Sequence, residues 1–385
     1  RRQRQMCIRD RLIYLDNNAT TPLDKRVLDA MLPFLTENFA NASSTHHFGI
    51  SANEAVKNAR LQVADLICAE ENEIIFTSGS TEAINLAIKG VAENYSAKGK
   101  HIVTVSTEHS AVLDTCRNLE TKGYEVTYLS VKSDGLIDLT ELKNSLRSDT
   151  ILVCVIYVNN ETGVIQPTKE IAQLTHIAGA LFMTDATQAI GKIPVDVDEL
   201  GIDLLCMSGH KLYAPKGVGA LYVRQRMNRV KISTLIHGGG HEKGLRSGTL
   251  NVPSIVALGK ACEISQQEMK QDAERISALR NELENELLKF SGAYVNGNTE
   301  KRIYNVSNIC FPTVDANVLI GRMKNVAASN GSACTSAVVE PSHVLVAMNL
   351  SDDDAFASIR FSLGRFNNQD EVISCLLYTS DAADE

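Results

Sequence analysis

Ile202-Asp203-Leu204-Leu205-Cys206-Met207-Ser208-Gly209-His210-Lys211 is an apolar run that ends on a serine, a glycine, a histidine and a lysine. Its length suits a strand buried on both faces. A second, glycine-punctuated strand follows at Gly217–Val223. A lysine at the mouth of a buried strand is badly placed for a structural residue, because a desolvated ammonium is costly and its pKa falls. A lowered pKa is what an amine needs to condense with a carbonyl. The alternative is a partly exposed lysine in an ordinary loop, and the tetrapeptide alone leaves both readings open.

Outward from this run, strand and helix patterns alternate. Strands read at Glu73–Thr77, His101–Ser106, Glu125–Val131, Ile151–Val158, Leu181–Asp185, Asp203–Ser208 and Ala220–Val223, with helices at Thr81–Tyr95, Ala111–Lys122 and Pro167–Ile177. Apolar strands divided by amphipathic helices predict an α/β fold, a mainly parallel seven-stranded sheet between helices. Near Pro253 the rhythm changes to a long polar helix, about Ile255–Phe290, then shorter α+β material at Tyr304–Phe311, Val314–Lys324, Val326–Ala328 and Ser358–Leu363. The expected division is a segment 12–50 packing on the small domain, a large domain 51–254, and a linker helix with small domain 255–373. Residues 1–11 and 374–385 read as foreign, with no periodic pattern that continues the neighbouring elements.

A chain of 385 residues suits two domains at about 150 residues each. The net charge of −8 argues against nucleic acid as a partner, since phosphate binding needs a basic face. No apolar run approaches the roughly 20 residues of a membrane span. The nine cysteines are scattered, an odd number with no C-x-x-C pair and no evident secretory leader, so they read as reduced cytoplasmic thiols. Cys154, Cys206 and Cys310 sit in apolar runs as small core residues.

Several polar groups fall at the carboxyl ends of these strands, where open α/β sheets bind ligands. Asp185-Ala186-Thr187-Gln188 ends one strand; Asp185 reads either as a carboxylate for a ring nitrogen or as a helix cap. Thr77-Ser78-Gly79-Ser80-Thr81-Glu82 lies between strand and helix, as a phosphate cradle built on Ser80 and Thr81 or as a simple turn with an N-cap. His109 follows another strand, suited to stacking on a ring and exchanging protons, or to a structural role. Cys334 stands among tiny residues in Asn330-Gly331-Ser332-Ala333-Cys334-Thr335-Ser336, a setting that leaves a thiol accessible and nucleophilic, or merely incidental. Arg360, on an inward phase of Ser358–Leu363, needs a carboxylate, which an amino-acid substrate would supply; an edge-strand surface arginine is the other reading. His237-Gly238-Gly239-Gly240 mimics a lipase oxyanion loop, but no G-x-S-x-G elbow occurs. The histidines have no zinc-ligand spacing, so no metal site is expected.

With these residues the chain resembles the NifS/IscS-type cysteine desulfurases, pyridoxal-phosphate enzymes of the class V aminotransferase group with fold type I. The resemblance runs from Tyr14-Leu15-Asp16-Asn17-Asn18-Ala19-Thr20-Thr21 to about Arg365. It includes Thr107-Glu108-His109, Val158-Asn159-Asn160-Glu161-Thr162-Gly163, Arg246-Ser247-Gly248-Thr249 and the Cys334 segment. It implies that Lys211 holds the cofactor covalently and that Thr81, Ser208 and His210 bind its phosphate, with Thr249 reaching across from a second subunit. It further implies that His109 stacks on the ring, Asp185 pairs with the ring nitrogen, and Gln188 and Asn160 contact ring or substrate. Arg360 would grip the substrate carboxylate and Cys334 would take the sulfur of L-cysteine as a persulfide, releasing alanine.

A homodimer is implied, as are sulfur-acceptor proteins such as an iron–sulfur scaffold. The resemblance fades soon after Glu371, which puts partner docking and small-domain stability in question. A selenocysteine lyase on the same scaffold, a generic class V aminotransferase and a non-catalytic sulfur-transfer scaffold are the rival readings.

Overall fold

A computed structural model describes residues 12–330 and 340–384. Its strands are β1 (Ile13–Tyr14), β2 (Ile74–Thr77), β3 (His101–Val105), β4 (Glu125–Leu129), β5 (Thr150–Cys154), β6 (Leu181–Asp185), β7 (Leu204–Ser208), β8 (Gly219–Val223), β9 (Tyr294–Val295), β10 (Val306–Cys310), β11 (Val326–Ala327) and β12 (Ser358–Ser362).

Seven strands form one sheet in the order β2-β8-β7-β6-β5-β3-β4. It is parallel from β7 to β4, while β8 runs antiparallel to both of its neighbours. The expected seven-stranded, mainly parallel sheet is therefore present. Alternate residues of each strand serve opposite faces. Ile102, Leu152, Cys154, Leu204 and Cys206 pack under the helices Ser80–Asn94 and Ser110–Glu120 through Ile84, Ile88, Val112 and Cys116. Val103, Val105, Val153, Phe182, Leu205 and Met207 face Val56, Val63, Ile171 and Leu258 on the other side. Each such side chain contributes about 1.5–3 kcal/mol on full burial. Strand β4 follows β3 on one side while β5, β6 and β7 follow on the other, so a topological switch point lies between β3 and β5.

The helix Val252–Leu287, with Asn251 capping Ser254 N and a proline in its first turn, joins the two halves. At 1.5 Å per residue it spans about 54 Å. Ile255, Leu258 and Cys262 belong to the large core, while Ile276, Leu279, Leu283 and Leu287 belong to the small one. In the small half, β12-β10-β9 form an antiparallel sheet and β1 pairs in parallel with β11.

Two expectations about the ends need correction. Only the first part of 12–50 joins the small core, through Ile13 and Leu15; Val27 and Met31 pack in the large one. The helix His47–Leu66, with seven buried residues, starts inside that segment. Its apolar residues are mostly alanines and valines, which weakened its sequence signal. Residues 374–385 read as patternless, yet the helix Gln369–Asp384 runs through them. Cys375 is fully buried beside Phe361 and Leu363, so tertiary contact holds a stretch whose own periodicity is weak. Residues 1–11 lie outside the described residues.

Candidate active site

A cavity of about 520 Å³ opens at the carboxyl ends of the parallel strands. The ends of β2, β3, β5, β6 and β7 bring Ser80, Thr81, His109, Asn160, Asp185, Gln188, His210 and Lys211 to its wall. Arg360 comes from β12, and Asn317, Ser329 and Asn330 from the small half.

The turn after β7 fixes the lysine. Gly209–Lys211 make one 3-10 turn, and Lys211 Nζ donates to Asn18 O at 2.6 Å and also to Ala19 O. Burial, then the nearby Arg360 charge, pulls its pKa down to about 8, while Asp16 and Asp185 oppose the fall. His210 is drawn to about 4 by burial, then by Lys211, Lys216 and Lys192, so it is neutral at pH 7. His210 Nδ1 lies 3.2 Å from Thr20 Oγ1, and its carbonyl accepts from Thr21 N at 2.9 Å.

Asp185 is 5% exposed at the end of β6, and its Oδ1 accepts from Thr187 N at 2.9 Å. No helix follows Asp185, so the capping alternative does not hold; the bond closes a turn, and the carboxylate also faces the cavity. The hydroxyl of Thr187, on the same wall, is buried and unpartnered among the described residues. His109 caps the helix Ser110–Glu120 by accepting Ala111 N–H on Nδ1 at 3.0 Å. A neutral ring anchored in this way carries its proton on Nε2.

Gly79 adopts φ +155°, a conformation closed to other residues, and no side chain caps the helix Ser80–Asn94 that follows. The first N–H groups of that helix are left for a ligand, with the favourable end of its dipole. Ser208 does not line the cavity; it sits behind Gly79, 3.6 Å from where a Cβ on Gly79 would stand. Thr249 is exposed and away from this chain's own cavity. Cys334 lies outside the described residues.

The sequence reading placed Arg360 at the site but gave no role to several residues around it. Arg360, 5% exposed, meets a carboxylate of the chain itself: Nη2 donates to Asp16 Oδ1 at 2.7 Å and Nη1 to Asn160 O at 3.1 Å, with Nε unpartnered among the described residues. Asp16 and Asn18 were part of a quoted motif but carried no role, because a polar run in a sequence does not reveal what folds over it. Glu108 is buried with Oε1 accepting Ile156 N–H and Oε2 unpartnered among the described residues. Burial, then the Asp185 charge, holds its carboxyl well above the usual carboxylate range. Lys192, beneath Gln188, was also passed over.

The family pattern "Aminotransferase class-V" matches residues 13–374. The chain belongs to the class-V aminotransferase family. Within it, "Cysteine desulfurase IscS" of Pasteurella multocida (strain Pm70) is 54% identical over 363 residues, 94% of this chain and 90% of that protein. The protein of the same name from Cronobacter sakazakii (strain ATCC BAA-894) is 52% identical over the same shares. Among solved structures, a "NIFS-LIKE PROTEIN" superposes with TM-score 0.91 at 37% identity, covering 97% of this chain and 99% of that one. "SspA in complex with cysteine" superposes at TM-score 0.82 with 38% identity, covering 92% and 99%.

Class-V aminotransferases work with pyridoxal phosphate, and this cavity fits it by its donor set. An uncapped helix end and neutral His210 suit a phosphate, Asp185 a ring nitrogen, and the Lys211 amine an aldehyde. The unpartnered Thr187 hydroxyl is one buried polar group left for a ligand.

Proposed function

We infer that this class-V aminotransferase is a cysteine desulfurase, converting L-cysteine to L-alanine and leaving the sulfur as a persulfide on Cys334. One observation carries the reading: a half-buried amine, a carboxylate, an imidazole and an uncapped helix end share one cavity. The identity to proteins named cysteine desulfurase supports the reaction, and the similar fold solved with cysteine supports the substrate.

When bound, pyridoxal phosphate supplies an electron sink that makes the substrate's Cα–H acidic and its Cβ–Sγ bond labile. The side chains do the rest. Ser80, Thr81 and His210 would hold the phosphate and Asp185 would keep the ring nitrogen protonated, while Ser208 backs the Gly79 turn and does not face the phosphate. The His109 ring on the cavity wall would stack on the cofactor, and its Nε2–H is free to exchange a proton because Nδ1 is held by Ala111 N–H. Lys211 Nζ would hold the cofactor and, once displaced by substrate, take the Cα proton, a task suited to an amine near pKa 8. Arg360 exchanges Asp16 for the substrate carboxylate, which Asn160 helps to orient. Cys334 thiolate attacks the substrate sulfur; the S–S bond forms as Cβ–Sγ breaks, and the carbon is protonated to alanine. Asn330, close before Cys334 in sequence, stands on the cavity wall.

The exposed Thr249 suits a contact with the phosphate in a second copy, giving a homodimer. The persulfide passes to an acceptor protein such as an iron–sulfur scaffold. No helix among the described residues is long and apolar enough to cross a membrane, and the described cysteines are free; a cytoplasmic location agrees with both.

Incubation of the cofactor-loaded protein with L-cysteine, scoring alanine and sulfide, tests the proposal. The native protein yields both, and Cys334→Ala keeps its visible absorption while losing desulfuration. A native protein that prefers selenocysteine to cysteine, with Cys334→Ala keeping full activity on that best substrate, turns the reading toward selenocysteine lyase.

A further inference from the structure

Lys192 is 7% exposed, and its Nζ donates to Gln188 Oε1 at 2.7 Å. Among the described residues no carboxylate pairs with it and no second hydrogen bond is made. The turn that places it is demanding: Gly191 adopts φ +71°, and a Cβ there would stand 2.0 Å from Leu212 Cδ1. Burying an ammonium with one neutral partner is costly, so it opposes stability.

An ammonium has three donors and no acceptor, so only the carbonyl end of an amide can face it. Gln188 Nε2 is then forced to the other side, where one of its protons goes to Asn18 O at 2.9 Å. The second has no acceptor among the described residues, and Gln188 lines the cavity. An acceptor in the cavity, above all an anionic oxygen, completes that set.

We infer that Lys192 is a positioning residue that acts through Gln188, turning its amide so that the cavity receives an N–H donor for the ring oxygen of the bound cofactor. This rests on the pyridoxal-phosphate reading above and adds a residue to it. The charged groups on the cavity wall that Gln188 shares are Asp16, Asp185, Lys211 and Arg360, with the titratable but neutral His210 beside them. Burial, then Lys211 and Arg360, draws the Lys192 pKa down to about 7, so an anion bound in the cavity would hold the proton on it.

The test is a double-mutant cycle on the full-length holoenzyme, reading the dissociation constant of pyridoxal phosphate and the visible absorption band. Lys192→Met weakens cofactor binding roughly tenfold, the worth of one hydrogen bond to a charged group, and moves the band. On a Gln188→Ala background the same change has less than about a twofold effect, because the residue it acts through is gone. Lys192→Gln, whose amide can face Gln188 either way, falls between native and Lys192→Met and serves if the methionine variant does not fold. Unchanged binding and band in Lys192→Met, or an equal loss on both backgrounds, overturns the inference while the native enzyme keeps the proposed function. A native protein that shows no visible band with cofactor overturns both.

Discussion

Arg360 Nη2 and Asp16 Oδ1 stand 2.7 Å apart, tying strand β12 to the turn after β1 across the mouth of the cavity. Both side chains line the cavity, so on the proposed function a substrate carboxylate would compete with Asp16 for the same guanidinium. The pair keeps a buried cation compensated until a ligand replaces the aspartate. Arg360 is thus compensated by Asp16 in the free chain, and on the proposed function it would recognise the substrate in the loaded one.

Arg360→Lys removes the planar fork but keeps the charge. Its KM for L-cysteine rises about 10- to 100-fold, the difference between a bidentate grip and a point charge. Steady-state kinetics with cofactor at saturation checks this. An unchanged KM assigns Arg360 to the Asp16 pair alone.

Lys211 titrates near 8, so its reactive free amine grows as pH rises through that value. About a tenth is free at pH 7 and about nine-tenths at pH 9. The rate at which the cofactor-free protein takes up pyridoxal phosphate climbs over this window. Arg360→Met removes a charge that lowers the pKa and shifts the climb to higher pH. Asp16→Asn removes one that raises it and shifts the climb lower. Stopped-flow absorbance at several pH values reads both shifts, and movement in the wrong direction denies the electrostatic account. Lys211→Ala abolishes the covalent visible band at every pH.

Phe361 is fully buried on β12 between the C-terminal helix and the helix Val252–Leu287, beside Cys375 and Leu283. Phe361→Ala opens a cavity and costs about 3–5 kcal/mol. Calorimetry should show the small half melting first, with the large sheet retained. A loss of less than about 1 kcal/mol, close to the scale of surface changes, would deny that the C-terminal helix seals the small core.

The carboxyl-terminal helix marks one limit of reading the chain by pattern. Polar and apolar residues after Ser374 have no clear period, and the burial of Val372 and Cys375 comes from the surfaces they meet. The sheet strands were plain because each is a short apolar run buried on both faces, an arrangement that needs no partner's identity to be recognised. Their ends were less sharp: Ile151–Val158 stops as a strand at Cys154, since the chain then turns to build the cavity wall.

Residue types and spacing determined the α/β architecture, the strand-end placement of Ser80, His109, Asp185 and Lys211, and the family. Those features are local, fixed by period, by burial of apolar runs and by polar groups at their ends. Tertiary structure alone decided that Arg360 finds Asp16, that Lys211 rests on the carbonyls of Asn18 and Ala19, and that Lys192 is buried under Gln188. Two of those pairings join residues about 190 to 340 positions apart. Close packing brings them together, and in a low-dielectric interior each group's charge and proton depend on neighbours that sequence order does not reveal.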